Sequence, residues 1–198
     1  MRRRWVLAGI ASLSGCSLLP QAPYVQRRDW PLDVNRPSVV PRNQRGRVLL
    51  LRTVRAGPGL DARGMQWLQR DGSLHVDFYE QWAVPPAQAV ENDLRQWLAD
   101  SGRFSAVVAP GSRLNADLVL EGELDTFVAD PNTGMARVAL ALVLIDQRQG
   151  STTVLLQRTV AAEVGLGGGQ PPAIADAMRA AIVDVLRQTE MDIAAAMH

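Results

Sequence analysis

The chain has 198 residues and a mass of 21.6 kDa, room for one domain with a packed core and too little for two comfortable ones. Apolar residues make up 47% and charged residues 21%, which excludes global disorder. All 21 basic residues are arginine, set against 20 acidic ones; a formal charge of +1 with no long basic run argues against a dedicated nucleic-acid binder.

Residues 1–20 read as an address. Arg2, Arg3 and Arg4 form a positive n-region, and the apolar run Trp5 to Leu13 follows. The run is too short to span a bilayer, which takes about 20 apolar residues, and it suits a secretory signal peptide over residues 1–15. Ser14 and Gly15 supply small residues for a peptidase, and Cys16 comes directly after them. The segment resembles a bacterial lipobox: cleavage before Cys16, with acyl chains on its sulfur and new amino group. Two or more chains hold a protein stably at a membrane, where one does not. The lipoprotein resemblance implies export to the periplasm, and Ser17 after the lipidated Cys favours the outer membrane over the inner one. Loss of Arg2 to Arg4 leaves 18 arginines against 20 acidic residues, a mature charge of −2. As the sole cysteine, Cys16 also rules out an internal disulfide and a cysteine zinc cluster.

Residues 16–46 are expected to form a tether, rich in Pro and Arg, with one edge strand near Tyr24-Val25. Its arginines either meet anionic headgroups or line a plain solvated spacer. The domain, residues 47–198, opens on a strand carrying Val48, Leu50 and Val54. Arms 65–70 and 73–80 flank Asp71-Gly72, a favoured two-residue hairpin turn; Leu74, Val76 and Phe78 share one face of the second arm, and His75, Asp77 and Tyr79 the other. Pro85-Pro86 opens a helix with Val90, Leu94, Trp97 and Leu98 on one side, closed by Ser101-Gly102. Phe104 to Val108 is a short strand. In the next strand Leu118, Leu120 and Leu124 oppose Glu121, Glu123 and Asp125. Residues 135–146 are apolar on both faces, which marks a central strand covered on both sides, or on one side by a partner subunit. Residues 152–163 form a further strand, Gly167 to Gly169 break it, and Pro171-Pro172 opens a last helix with Ile174, Met178, Ala181, Val185 and Ile193 in its stripe. The order predicts an α+β fold: a mixed, mainly antiparallel sheet with two amphipathic helices packed on one face.

Catalytic chemistry is sparse. There is no P-loop, and no Lys to complete one. Gly167-Gly168-Gly169 before a helix offers amides to a phosphate or, more simply, makes a flexible joint. His75 and Asp77 alternate on a strand without a nucleophile elbow. Glu121, Glu123 and Asp125 make a row that either holds calcium or forms a solvated face paired with neighbouring arginines. No enzyme, metal site or cofactor is read from the chain. The aromatic residues carry more. Trp97 lies in the helix stripe, and Trp82 is placed to pack the strand-to-helix corner. Trp67 and the facing Phe78 and Tyr79 either pack inward or form an aromatic hairpin suited to a protein or lipid contact. Trp67, Phe78, Tyr79 and Trp82 are the candidate partner or oligomer contacts.

The order of motifs behind the lipobox is distinctive: Gly59-Leu60-Asp61 before the hairpin, then Tyr79-Glu80-Gln81-Trp82-Ala83-Val84-Pro85 leading into the first helix, then Leu98-Ala99-Asp100-Ser101-Gly102-Arg103-Phe104 at its end. In this the chain resembles the ABC-type transport auxiliary lipoproteins (the PqiC-like family) over about residues 47–195. It departs at Ala62-Arg63-Gly64, where the family often carries basic or aromatic residues. The resemblance implies a lipid-anchored accessory that works beside an MCE-type protein with its ABC permease and ATPase, moving lipids between membranes. Such a protein acts by tethering and docking, with no catalysis and no nucleic-acid partner. Self-association or docking is expected at the doubly apolar strand and the hairpin, and a ring-like homo-oligomer would match a tubular partner. The alternative is a lipoprotein of an envelope assembly or secretion complex.

Overall fold

A computed structural model describes residues 24–148 and 152–197. Cys16 and the signal segment lie outside these residues. The strands are β1 (Arg28–Trp30), β2 (Val48–Leu51), β3 (Arg55–Ala56), β4 (Gly64–Leu68), β5 (Leu74–Trp82), β6 (Ala106–Val108), β7 (Leu118–Asp130), β8 (Met135–Asp146) and β9 (Thr153–Gly165). The helices are α1 (Pro86–Asp100), between β5 and β6, and α2 (Pro171–Ala196) at the end. Both begin with proline in the first turn, where its fixed φ is pre-set and its missing N–H is no loss. Helix α1 buries Val90, Leu94, Trp97 and Leu98, the face set by their spacing. It ends at Gly102, whose φ of +71° suits glycine; a Cβ there would also lie 2.6 Å from Val40 Cγ1 and 2.8 Å from the Pro41 carbonyl.

The sheet is organised around β7. One of its edges pairs antiparallel with β8 along its whole length, and β8 pairs likewise with β9. The other edge meets three short strands in succession, all parallel: β2 at Leu118 to Leu120, β3 at Glu123-Leu124, and β4 at Ala129. Strand β6 extends the sheet beyond β2, while β5 and then β1 extend it beyond β4. The long ladders are antiparallel and the short additions mostly parallel, giving a mixed α+β fold with an open sheet. The pairing of β7 shifts between Leu124 and Thr126, leaving Asp125 as the bulged residue. The shift changes the inward parity from Leu118, Leu120 and Leu124 to Phe127 and Ala129, so the same face stays apolar.

Helix α2 covers β8 and β9, and α1 lies beside it over β3, β6 and β7. Ala136, Val138, Leu140, Leu142 and Leu144 of β8 are buried under this layer. The opposite face of β8, with Ala139, Ala141, Val143 and Ile145, is only half-buried. Strand β8 is therefore central within the sheet, but among the described residues one of its faces has no covering layer. The run of apolar residues reflects Ala139, Ala141, Val143 and Ile145 on this half-buried face and Val138, Leu140, Leu142 and Leu144 beneath α2.

The Pro/Arg-rich segment departs further from expectation. An edge strand does form there, at Arg28–Trp30 rather than Tyr24-Val25, and pairs parallel with β5. Leu32 and Val34 then enter the core at 2% and 8% exposure. Val40 N–H donates to the Asp100 carbonyl at 2.9 Å and Asn43 N–H to the Gly102 carbonyl at 3.2 Å. Residues 28–46 are thus a strap laid along α1, not a free spacer. Two apolar residues among prolines carry too little periodicity to announce this in sequence.

Candidate docking surfaces

The four aromatic candidates separate. Trp82 is 1% exposed and packs edge-on against Phe127, with ring centroids 5.5 Å apart. It belongs to the core and presents no surface. Trp67 is half-buried; its indole stacks on the His75 ring at 4.3 Å and rests against the core. Phe78 is 63% and Tyr79 43% exposed, and their rings meet edge to face. Leu74 and Val76 of the same strand are each 46% exposed. The register Leu68↔Leu74 and Gln66↔Val76 places these two on one face of the hairpin, while Trp67↔His75 occupies the other. The loop is longer by one residue than the two-residue turn expected. Gln69 N–H donates to the Ser73 carbonyl at 2.8 Å, so Arg70, Asp71 and Gly72 form the tip, with Gly72 at φ +82°. Asp71 Oδ1 accepts from both the N–H and the hydroxyl of Ser73, which lowers its pKa.

Strand β1 ties the N-terminal segment to this hairpin. Glu80, buried in β5, accepts from Arg28 Nη2 at 2.5 Å and Trp30 Nε1 at 2.7 Å. Arg63 donates to the Trp82 carbonyl at 2.8 Å and to Asp29 at 2.6 Å. Arg27 lies over the Phe78 ring, 4.3 Å from its centroid.

The strap is fastened a second time at Glu190 in α2. Its carboxylate accepts from Arg36 Nε at 3.0 Å, Trp97 Nε1 at 2.9 Å and Arg103 Nε at 3.3 Å. Burial opposes its ionisation, yet the bonds from Arg36 and Trp97, the Arg36 charge and the Arg103 bond outweigh that and hold its pKa below the usual value. Arg28 and Arg36 are thus consumed in fastening the strap. Asp93 of α1 shows the reverse balance. It is 8% exposed, one of its oxygens has no hydrogen-bond partner, and burial pushes its pKa up to about 7, against a bond from the Val34 N–H and with a small push from Asp33. Neither Asp93 nor Glu190 was singled out in sequence. The signal was there: Asp93 interrupts the apolar stripe of Val90, Leu94 and Trp97.

The acidic row is a paired face. Arg52 lies 3.0 Å from Glu121 and Arg55 2.7 Å from Glu123, across the β2–β7 and β3–β7 contacts. Asp125 is exposed at the bulge. Arg55, Glu121 and Glu123 rim a shallow hollow of about 440 Å³ on the uncovered sheet face, floored by Ala141 and Val143 and bounded by Gln157 and Thr159 of β9. Among the described residues no group of three or more His, Cys, Asp or Glu is placed to hold a metal ion. His75 Nε2 is 3.8 Å from Asp77 Oδ2, and Asp77 Oδ1 accepts from the Tyr79 and Glu80 amides within the stretch of β5, between Val76 and Gln81, where its pairing with β4 shifts register. No helix among the described residues is long and apolar enough to cross a membrane.

The fold has solved relatives at low identity. A Xanthomonas campestris protein placed in the DUF330 family superimposes with a TM-score of 0.65 at 22% identity, covering 83% of this chain and 89% of its own. A hypothetical protein from Chlamydia trachomatis gives 0.53 at 10% identity over 76% of this chain and 99% of its own. No curated protein matches the sequence. A family model described as the ABC-type transport auxiliary lipoprotein component matches residues 31–189, from the strap to the last turns of α2. The chain belongs to that family, the ABC-type transport auxiliary lipoproteins.

Proposed function

We propose that this protein is a lipid-anchored, non-catalytic accessory of an MCE-type intermembrane lipid transport system. Cleavage before Cys16 and acylation of that residue fix it to a membrane, and Ser17 directs it to the periplasmic face of the outer membrane. The observation that carries the reading is the family match across residues 31–189 behind a lipobox at Leu13-Ser14-Gly15-Cys16. The docked strap refines the tethering role. With residues 28–46 held against the domain, the free reach between Cys16 and β1 is at most eleven residues, about 40 Å when fully extended. Docking then works through local concentration: a partner reaching the same membrane meets an anchored domain, and a modest interface suffices.

The test is affinity recovery of the chain from crosslinked envelopes, with mass spectrometry of proteins and lipids. Recovery with an MCE-type protein and its permease supports the reading. Recovery with outer-membrane assembly or secretion proteins alone overturns it. Cys16→Ala moves the protein from the membrane to the soluble fraction if anchoring is as stated.

A further inference from the structure

We propose that the exposed stripe of β5, with the N-terminal segment beside it, rests on the lipid surface that holds the anchor. The inference builds on the acylation of Cys16 proposed above. It starts from where exposed apolar side chains collect. Of the eleven large hydrophobic residues exposed among the described residues, four share strand β5, Leu74, Val76, Phe78 and Tyr79, and two more, Tyr24 and Val25, shortly precede β1 in the chain. Such clustering marks a surface covered by something other than water.

Three observations favour a bilayer as the cover. First, β1 runs parallel to β5 with Arg28 opposite Glu80, so the residues before Arg28 lead along the unpaired edge of β5 toward the hairpin tip. Only eight residue steps separate Cys16 from Tyr24, which limits their separation to about 29 Å. An acylated Cys16 therefore keeps the hairpin within reach of the lipid. Second, the chemistry suits an interface rather than a dry core. Tyr24 and Tyr79 are amphipathic rings, and Arg27 stacks on Phe78 with its guanidinium exposed. An apolar patch rimmed by arginine is the pattern of a surface lying at the boundary of headgroups and acyl chains. The nearby carboxylates are engaged: Glu80 by Arg28 and Trp30, Asp77 by two backbone amides, Asp71 by Ser73. Third, the outer edge of β5 has no strand partner from Leu74 to Tyr79, where β1 does not reach, so its backbone groups there turn to side chains such as Asp77 or to solvent. At headgroup depth water still satisfies these groups; deeper burial would not be tolerated.

The experiment uses the full acylated chain in vesicles of phosphatidylethanolamine and phosphatidylglycerol. Acylation of Cys16 leaves no other thiol, so Val76→Cys, Phe78→Cys and Ser112→Cys each take a single nitroxide label. Ser112 is exposed near β6, at the opposite end of the sheet, and serves as the reference. The expected result is a ratio of oxygen to polar nickel-chelate accessibility severalfold higher at 76 and 78 than at 112. The use of two sites guards against losing the contact by replacing Phe78 itself. Equal water accessibility at all three sites, in protein that floats with the vesicles, overturns the placement while leaving the anchor intact. Labels at 76 and 78 shielded from both reagents also overturn it, since protein then covers the stripe: residues 1–23, a second copy or a partner. Failure to float refutes the anchor, and this placement falls with it.

Discussion

Replacing Asp93 with Asn tests the strap from the inside. Asp93 is held on the buried face of α1, with the Val34 N–H donating to it and its second oxygen unpartnered. Burial, offset by that bond and helped by Asp33, raises its pKa from 3.8 to about 7. A carboxyl with a raised folded-state pKa binds its proton more tightly in the native state, so its stability contribution is fully present below the unfolded pKa. The contribution falls between about pH 4 and 7 and is flat above. With these two values the ionisation penalty is about 2 kcal/mol at pH 5 and about 4 kcal/mol at pH 8. Asn keeps a carbonyl oxygen for the Val34 amide and never ionises. The stability difference between Asp93→Asn and wild type should therefore grow in favour of the variant by about 2–3 kcal/mol from pH 5 to pH 8. Titrating groups not coupled to Asp93, that is, all but its neighbour Asp33, cancel in that difference, as does the fixed cost of placing an amide where a neutral carboxyl stood. Urea unfolding of both proteins at pH 5, 6, 7 and 8 measures it, with equal m-values as the check on two-state behaviour. A difference that stays within 0.5 kcal/mol across the series would refute the argument, because Asp93 would then ionise as freely in the native state as in the unfolded one.

Three further outcomes separate the parts of the structure. Glu190→Gln replaces the acceptor shared by Arg36, Trp97 and Arg103 and should cost about 2–3 kcal/mol in urea unfolding, since two arginines lose their charged partner in a partly buried site. A loss below about 0.5 kcal/mol would mean that the strap is not fastened there. Leu32→Ala should cost about 3 kcal/mol as a core truncation; a free spacer would show no change, which calorimetry distinguishes directly. Trp82→Ala should cost about 4 kcal/mol, whereas Phe78→Ala should leave the melting temperature nearly unchanged, because one ring is enclosed against Phe127 and the other is mostly exposed.

What the sequence disclosed and what it hid divide along the range of the interactions. The helices α1 and α2 were legible because a 3.6-residue stripe, an opening proline and a closing glycine are local, and all of them agree. The long strands were legible because alternation is local too. The chain carries no comparable local mark for what β7 does. Its 13 residues serve as the shared edge for β2, β3 and β4 in turn, and the bulge at Asp125 that lets Phe127 face inward is specified by those neighbours. The strap shows the same limit in reverse. Prolines and arginines from Arg27 to Arg45 have the composition of a linker, yet Leu32, Val34 and the bond from Arg36 to Glu190, 154 residues away, bind half of it to the domain. The acids Asp93 and Glu190 could have pointed there, since a carboxylate set in an apolar helix stripe needs a partner from another element. For Asp93 that partner is the Val34 amide, and for Glu190 it includes Arg36. At these two acids the helices hold the acceptors and the strap supplies the donors, while Arg179 of α2 donates in return to the Pro31 carbonyl at 3.0 Å. The segment leading from the membrane anchor therefore joins the domain at fixed points, and it enters the described structure beside the exposed aromatic hairpin.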